Sequence, residues 1–262
     1  MTSRLHARID GPEHAPVLVL GSSLGTTGQM WRPQVDALAS RFRVIRYDHA
    51  GHGGSAPPSA PYTIAGLGTD LLDLLDDLGI RRVSYAGLSL GGMVGMWLAA
   101  YAPQRVERLA LLCTSALLGP PEGWRERAET VRRAGTGAIA DAVLARWFTP
   151  PFAARRPEVV AAHRAMLTAT QADGYAACCE AIGAMDLRPD LPRITAPTLV
   201  IAGAEDPATP VPHAELIAAT IPAARLRVVP DAAHLANVEQ PELVTELLLD
   251  HLAAPGEPDG RP

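Results

Sequence analysis

The chain has 262 residues, 48% of them hydrophobic, enough to bury the core of one α/β domain with room for an inserted subdomain. Its net charge of −5 argues against nucleic acid as the main partner. All 23 basic residues are arginine, which excludes a Schiff-base lysine, a pyridoxal site and a lysine-bearing phosphate loop.

Met1 to His6 contain no apolar segment of the secretory kind, and no apolar run reaches membrane-spanning length. The three cysteines, Cys113, Cys178 and Cys179, are odd in number and two are adjacent, unlike a disulfide framework. No Cys-x-x-Cys spacing suggests a metal, and Cys178-Cys179 reads as helix packing. The expectation is a cytoplasmic protein without metal, cofactor, nucleic-acid or membrane partner, of unspecified oligomeric state.

Residues 16–20 read as a central strand buried on both faces. They run into Gly21-Ser22-Ser23-Leu24-Gly25-Thr26-Thr27-Gly28, whose spacing is not the dinucleotide-binding Gly-x-Gly-x-x-Gly. That loop is free to present a backbone N–H. Residues 42–47 form a second strand, followed by a turn over 48–55 and a proline-rich stretch over 56–61 that cannot be regular. Thr63 can cap a helix whose apolar positions are Ile64, Leu67, Leu71, Leu74, Leu75 and Leu78, and Gly79 stops it.

The next stretch organises the chain. Gly87-Leu88-Ser89-Leu90-Gly91 lies between an apolar run over 82–86 and a buried helical pattern over 93–101. A glycine two residues away on each side suits a strand-to-helix turn too tight for side chains. It would strain Ser89 and expose its hydroxyl. This is similar to the nucleophile elbow of the α/β-hydrolases. A capping serine at a glycine-rich helix start is the alternative, but the flanking strand and helix favour the elbow.

A further strand over 106–113 is followed by an almost wholly helical stretch with breaks at Pro120-Pro121, Gly135, Pro150-Pro151 and Pro157. Strands over 197–203 and 225–229 and helices over 212–219 and 241–252 complete the pattern. The expected fold is α/β, a mostly parallel central sheet with helices on both faces and an inserted helical lid. The expected division is residues 1–114 and 192–254 as core, 115–191 as lid, and 255–262 as a disordered tail. The site belongs at the carboxyl ends of the strands.

A serine nucleophile needs a base, and the base an orienting acid, in the chain order Ser, Asp or Glu, His. Gly203-Ala204-Glu205-Asp206 offers two carboxylates after a late strand. Of eight histidines, His234 alone follows both nucleophile and acid on a loop after the last strand. His6 and His14 precede the core, His49 and His52 sit in an early turn and can line the site, and His163 is in the lid. His213 opens a helix; His251 ends one, where its charge can complement the dipole. The oxyanion hole needs backbone N–H groups, one from Leu90 and one from the loop after the first strand, at Leu24.

Gly-Leu-Ser-Leu-Gly-Gly-Met, Tyr-Asp-x-x-Gly-His-Gly-x-Ser and Asp-Ala-Ala-His-Leu-Ala-Asn-Val-Glu-Gln-Pro resemble α/β-hydrolases throughout the core. Ser23-Leu24-Gly25-Thr26-Thr27, Arg146-Trp147-Phe148-Thr149-Pro150 and residues 174–182 resemble the 3-oxoadipate enol-lactonases. Two departures are visible: Ser22-Ser23 replaces a common His-Gly, as in many enol-lactonases, and Ala50 stands where arginine is frequent. The resemblance places the acid at Asp206, with Glu205 a solvated neighbour. It implies a cofactor-free serine hydrolase acting on a small carboxylated lactone. The substrate carboxylate then needs local positive charge, for which Arg127, near Trp124, is the candidate; Trp124 and Trp147 can wall the ring or simply pack. Other readings are a general carboxylesterase, a perhydrolase, a carbon–carbon hydrolase, or a ligand-binding receptor with slow turnover.

Overall fold

In the computed structural model, which describes residues 5–57 and 62–253, the apolar runs assemble into one seven-stranded sheet. Its strands are β1 (Ala7–Asp10), β2 (Val17–Gly21), β3 (Arg43–Tyr47), β4 (Val83–Leu88), β5 (Val106–Leu112), β6 (Thr198–Gly203) and β7 (Arg225–Val229). The order is β1-β3-β2-β4-β5-β6-β7. Only β1 pairs antiparallel, against β3; every other pair is parallel. β4 and β6 are buried along their whole length, as parallel strands covered on both faces must be.

Helices α1 (Arg32–Ala39), α2 (Ile64–Asp77), α3 (Leu90–Tyr101), α9 (Val211–Thr220) and α11 (Pro241–Leu252) flank the sheet. α1 packs against α11 and α2 against α3, while α9 lies against β6 and β7. Thr63 caps α2 by accepting from the Gly66 N–H at 3.0 Å, and Gly79, at φ 68°, ends it. β1 and α1 have no counterpart in the sequence reading.

Between β5 and β6 lie α4 (Pro121–Ala134), α5 (Ala140–Trp147), α6 (Pro150–Arg155), α7 (Pro157–Thr168) and α8 (Ala172–Ala184). The expected breaks fall at their ends. Pro121, Pro150 and Pro157 each occupy a first helical position, where no N–H is missed, and Gly135 closes α4 at φ 74°. α4 packs along α8. The two ends of the segment meet where the Leu187 N–H donates to the Ala116 carbonyl at 2.8 Å.

The proposed tail, 255–262, and residues 58–61 of the proline-rich stretch lie outside the described residues. Among the described residues, no helix is long and apolar enough to cross a membrane. The three cysteines are buried free thiols.

His251 corrects one expectation. Its ring is buried and its Nε2 meets the Leu109 carbonyl at 3.0 Å. Burial lowers its pKa to about 4, so it carries no charge for the helix dipole at neutral pH. Burial, aided by His52, lowers His49 to about 3. Both rings are neutral when folded and bind protons on unfolding once the pH falls below their ordinary value of 6.5. Their contribution to stability is therefore complete above pH 6.5 and is lost as the pH falls toward 4 and 3. Unfolding free energy measured between pH 7 and 4 should fall with acid. His251→Gln, which keeps an amide donor for Leu109, should flatten that slope by up to about 1.4 kcal/mol per pH unit. An unchanged slope would show that His251 is not buried neutral.

Candidate active site

Ser89 stands between β4 and α3 at φ 56° and ψ −114°. A non-glycine residue held in so sparsely populated a region costs roughly 1–3 kcal/mol. Its N–H donates to the Leu112 carbonyl at 2.9 Å, and its own carbonyl accepts from the Met93 N–H at 3.0 Å and the Thr114 hydroxyl at 2.7 Å. The flanking glycines are steric necessities. A Cβ on Gly87 would lie 2.3 Å from the Gly91 oxygen, and one on Gly91 would lie 2.3 Å from the Gly21 oxygen. The Ser89 hydroxyl is left facing a cavity of about 290 Å³ at the carboxyl end of β4.

His234 lines the same cavity. Its Nδ1 lies 2.8 Å from Asp206 Oδ2, which leaves Nε2 toward the cavity. Asp206 follows β6, is buried, and also accepts from the Ala208 N–H at 2.8 Å, the Thr209 N–H at 3.1 Å and the Thr209 hydroxyl at 2.7 Å. Burial opposes its charge, but the adjacent His234 and the Thr209 hydrogen bonds outweigh that and hold its carboxyl below the usual range. Glu205 is exposed and makes no such contact with His234.

The strand order reverses between β2 and β4, so the loop after β2 lies beside the elbow in the crevice where open α/β sheets bind ligands. Leu24 on this loop lines the cavity, and Leu90 follows Ser89 directly. Two buried histidines hold the loop. The Gly25 N–H donates to His52 Nε2 at 3.0 Å, so the ring proton is on Nδ1, which donates to the Ala50 carbonyl at 3.1 Å. His49 Nε2 meets the Ser22 carbonyl at 2.8 Å and must carry its proton there. Burial lowers both pKa values and keeps both rings neutral. Neither reaches the cavity wall: they shape the loop and do not line the site.

The helical segment supplies the opposite wall. Trp124, Arg127, Arg146 and Trp147 line the cavity. Trp147 is nearly fully buried; Trp124 fixes its ring by donating Nε1–H to the Leu118 carbonyl at 2.7 Å. Arg127 lies 5.3 Å from the ring centres of both Trp124 and Tyr175 and donates to the Tyr175 hydroxyl, while its buried Nε has no partner. Burial and the charge of Arg127 lower the pKa of Arg146. Among the described residues, no carboxylate lines the cavity with these two cations. By contrast, Arg125 is exposed and paired with Glu122, and Arg133 is exposed. The sequence reading ranks Arg146 behind Arg127, beside Arg125 and Arg133, as an arginine to try next; the structure brings Arg146 alone of those three to the cavity. Among the described residues, no group of three or more His, Cys, Asp or Glu is arranged to hold a metal.

Fold and geometry define a class. Residues 16–241 match the family described as alpha/beta hydrolase fold, and the chain belongs to it. Within that family it is similar to 3-oxoadipate enol-lactonases 2 and 1 of Acinetobacter baylyi. The first is 42% identical over 88% of this chain and 86% of that protein. The second is 38% identical over 91% and 89%. A provisionally named carbamate hydrolase of Stutzerimonas stutzeri is 34% identical over 97% of both chains. Among solved structures, an enol-lactonase from Burkholderia xenovorans superimposes with a TM-score of 0.93 at 47% identity, covering 95% of this chain and 96% of that one. The chain is a hydrolase of this family.

Four substitutions test the site. Ser89→Ala should abolish nearly all turnover while leaving the fold intact, and combining it with His234→Ala should add little, because such groups act as a unit. Asp206→Asn should cost orders of magnitude in kcat, since the amide cannot replace the carboxylate that orients the imidazole. Glu205→Gln should have a small effect; a reversed pair of results would move the acid to Glu205.

Proposed function

We propose that the protein is a serine hydrolase that opens the ring of 3-oxoadipate enol-lactone to give 3-oxoadipate. The observation that carries this reading is a cavity with Ser89 and His234 on one side and two guanidinium groups, Arg127 and Arg146, without a carboxylate on the other. A neutral ester has no use for that charge. A lactone bearing a free carboxylate does. The enol-lactonase relatives support the same substrate.

In the proposed reaction Ser89 Oγ attacks the lactone carbonyl as His234 Nε2 takes its proton. Asp206 stabilises the resulting imidazolium. The Leu24 and Leu90 N–H groups hold the oxyanion, at about 3 kcal/mol per donor. Collapse breaks the ring C–O bond, and His234 returns the proton to the departing enol oxygen. The freed enol tautomerises to the ketone, which draws the step forward. Water then attacks the acyl-enzyme, His234 again takes a proton, and the second carboxylate leaves as Ser89 is restored. Trp124 and Trp147 wall the ring.

Provisional carbamate hydrolases among the relatives make a carbamate the substrate to compare. The deciding assay follows hydrolysis of the enol-lactone, a neutral aryl ester and a carbamate side by side. Arg127→Ala should lower kcat/KM for the enol-lactone ten- to a hundredfold, the worth of about 1.5–3 kcal/mol for a charge-assisted contact, and spare the neutral ester. Arg146→Ala should discriminate in the same direction. Equal losses on both substrates would reject a carboxylate-binding role, and a wild-type preference for the ester or carbamate would reject the enol-lactone.

A further inference from the structure

Glu239 ends the short helix α10 (Ala236–Glu239), five residues after His234, and has no place in the mechanism above. It is a buried carboxylate, and among the described residues no basic side chain pairs with it. Its oxygens are held by hydrogen-bond donors from two distant parts of the chain. Oε2 accepts from the Ala233 N–H at 2.6 Å, one residue before His234. Oε1 accepts from the Thr149 N–H at 2.9 Å and from the Thr149 hydroxyl at 2.7 Å. Thr149 follows the cavity-lining pair Arg146 and Trp147, and its hydroxyl oxygen also caps α6 by accepting from the Phe152 N–H at 3.3 Å. The same two stretches are joined directly. The His234 N–H donates to the Arg146 carbonyl at 3.4 Å, and the Leu235 N–H to the Trp147 carbonyl at 3.0 Å.

We propose that Glu239 is a positioning residue: its carboxylate ties the loop carrying His234 to the helical wall carrying Arg146 and Trp147, and so sets the base relative to the substrate pocket. The inference rests on the reading of Ser89 and His234 as nucleophile and base. Isolated burial of an acid is unfavourable, and burial does raise the Glu239 pKa, with Glu205 adding repulsion. Three donors offset that cost, and all three belong to the two stretches being joined. A structural acid within one element would not need a partner ninety residues away. Both carboxylate oxygens accept a backbone N–H, so an amide cannot substitute. Whichever way a glutamine turned, its NH₂ would face one of those N–H groups.

The test uses the full chain and a neutral aryl ester, so that it does not depend on the enol-lactone being the substrate. Glu239→Gln should lower kcat about tenfold or more, with KM little changed, as expected for loss of a hydrogen bond to a charged group. The downfield proton resonance of His234 Nδ1–H, shared with Asp206, should shift or broaden in the same variant. A kcat within about twofold of wild type, well below the effect of one such hydrogen bond, overturns the proposal. So does a lowered kcat with the His234 proton unmoved. If Glu239→Gln does not fold, Thr149→Val decides: it keeps the backbone N–H and removes the hydroxyl donor. A lower kcat at unchanged KM then supports the link, and wild-type kcat rejects it. Ser89→Ala with wild-type turnover would reject the underlying mechanism instead; Ser89-dependent turnover that ignores Glu239 rejects this link alone.

Discussion

The chain turns from β4 into α3 at a single residue, and the backbone angle at Ser89 can be held only by crowding its neighbours. Gly87 and Gly91 lie in contact with the backbone they face, Gly87 with Gly91 itself and Gly91 with Gly21 of the adjoining strand. The same approach lets the Gly91 N–H donate to the Ser22 carbonyl at 3.0 Å. Elbow and neighbouring loop are thus one packed unit. The strain that lifts the Ser89 hydroxyl and the contact that brings Leu24 beside it have one cause, which is close backbone approach at the switch in strand order.

Charge is distributed around that unit by burial. Asp206 lies behind His234 and is wrapped in donors, so its negative charge is spent locally. His49 and His52 are kept neutral by desolvation, and each therefore offers a fixed donor or acceptor to the loop. Among the described residues, the charged groups on the helical wall are Arg127 and Arg146, with Arg127 spread over two aromatic faces. The cavity thus faces Ser89 and His234 with a cationic wall.

Much of this was legible from residue patterns. The apolar runs that became β2 to β6 are largely buried, so composition alone marks them, whereas β7 is a largely exposed edge strand. β1 escaped because Ala7–Asp10 is a half-exposed edge strand with no apolar run. α1 escaped because Arg32–Ala39 buries only Gln34, Val35 and Leu38. Ser89 and His234 had motifs, and the choice of Asp206 over Glu205 leaned on family resemblance; geometry separates the two carboxylates by burial and contact. Glu239 stood inside a recognised motif without a role, because its partner Thr149 lies ninety residues upstream and nothing local announces that meeting. Arg146 was one of many lid arginines, and periodicity does not say which of them turns inward. The reading of His251 failed for the same reason: a helix end was visible, but its burial was not.

The helical segment leaves the sheet after β5 and returns to it before β6 at neighbouring points, joined by the Leu187–Ala116 hydrogen bond. A segment with adjacent ends can be exchanged as a cassette, since its length does not alter the spacing of the strands it interrupts. The exchange is not free here. The residues 146–149 are stitched to the loop of His234, so a transplanted cassette has to bring a threonine-like donor to Glu239 as well as a new pocket wall. Divergence of substrate preference by swapping this segment is therefore constrained at this seam, and again where Gly174 of α8 packs against Gly51 and Tyr175 stacks on His52.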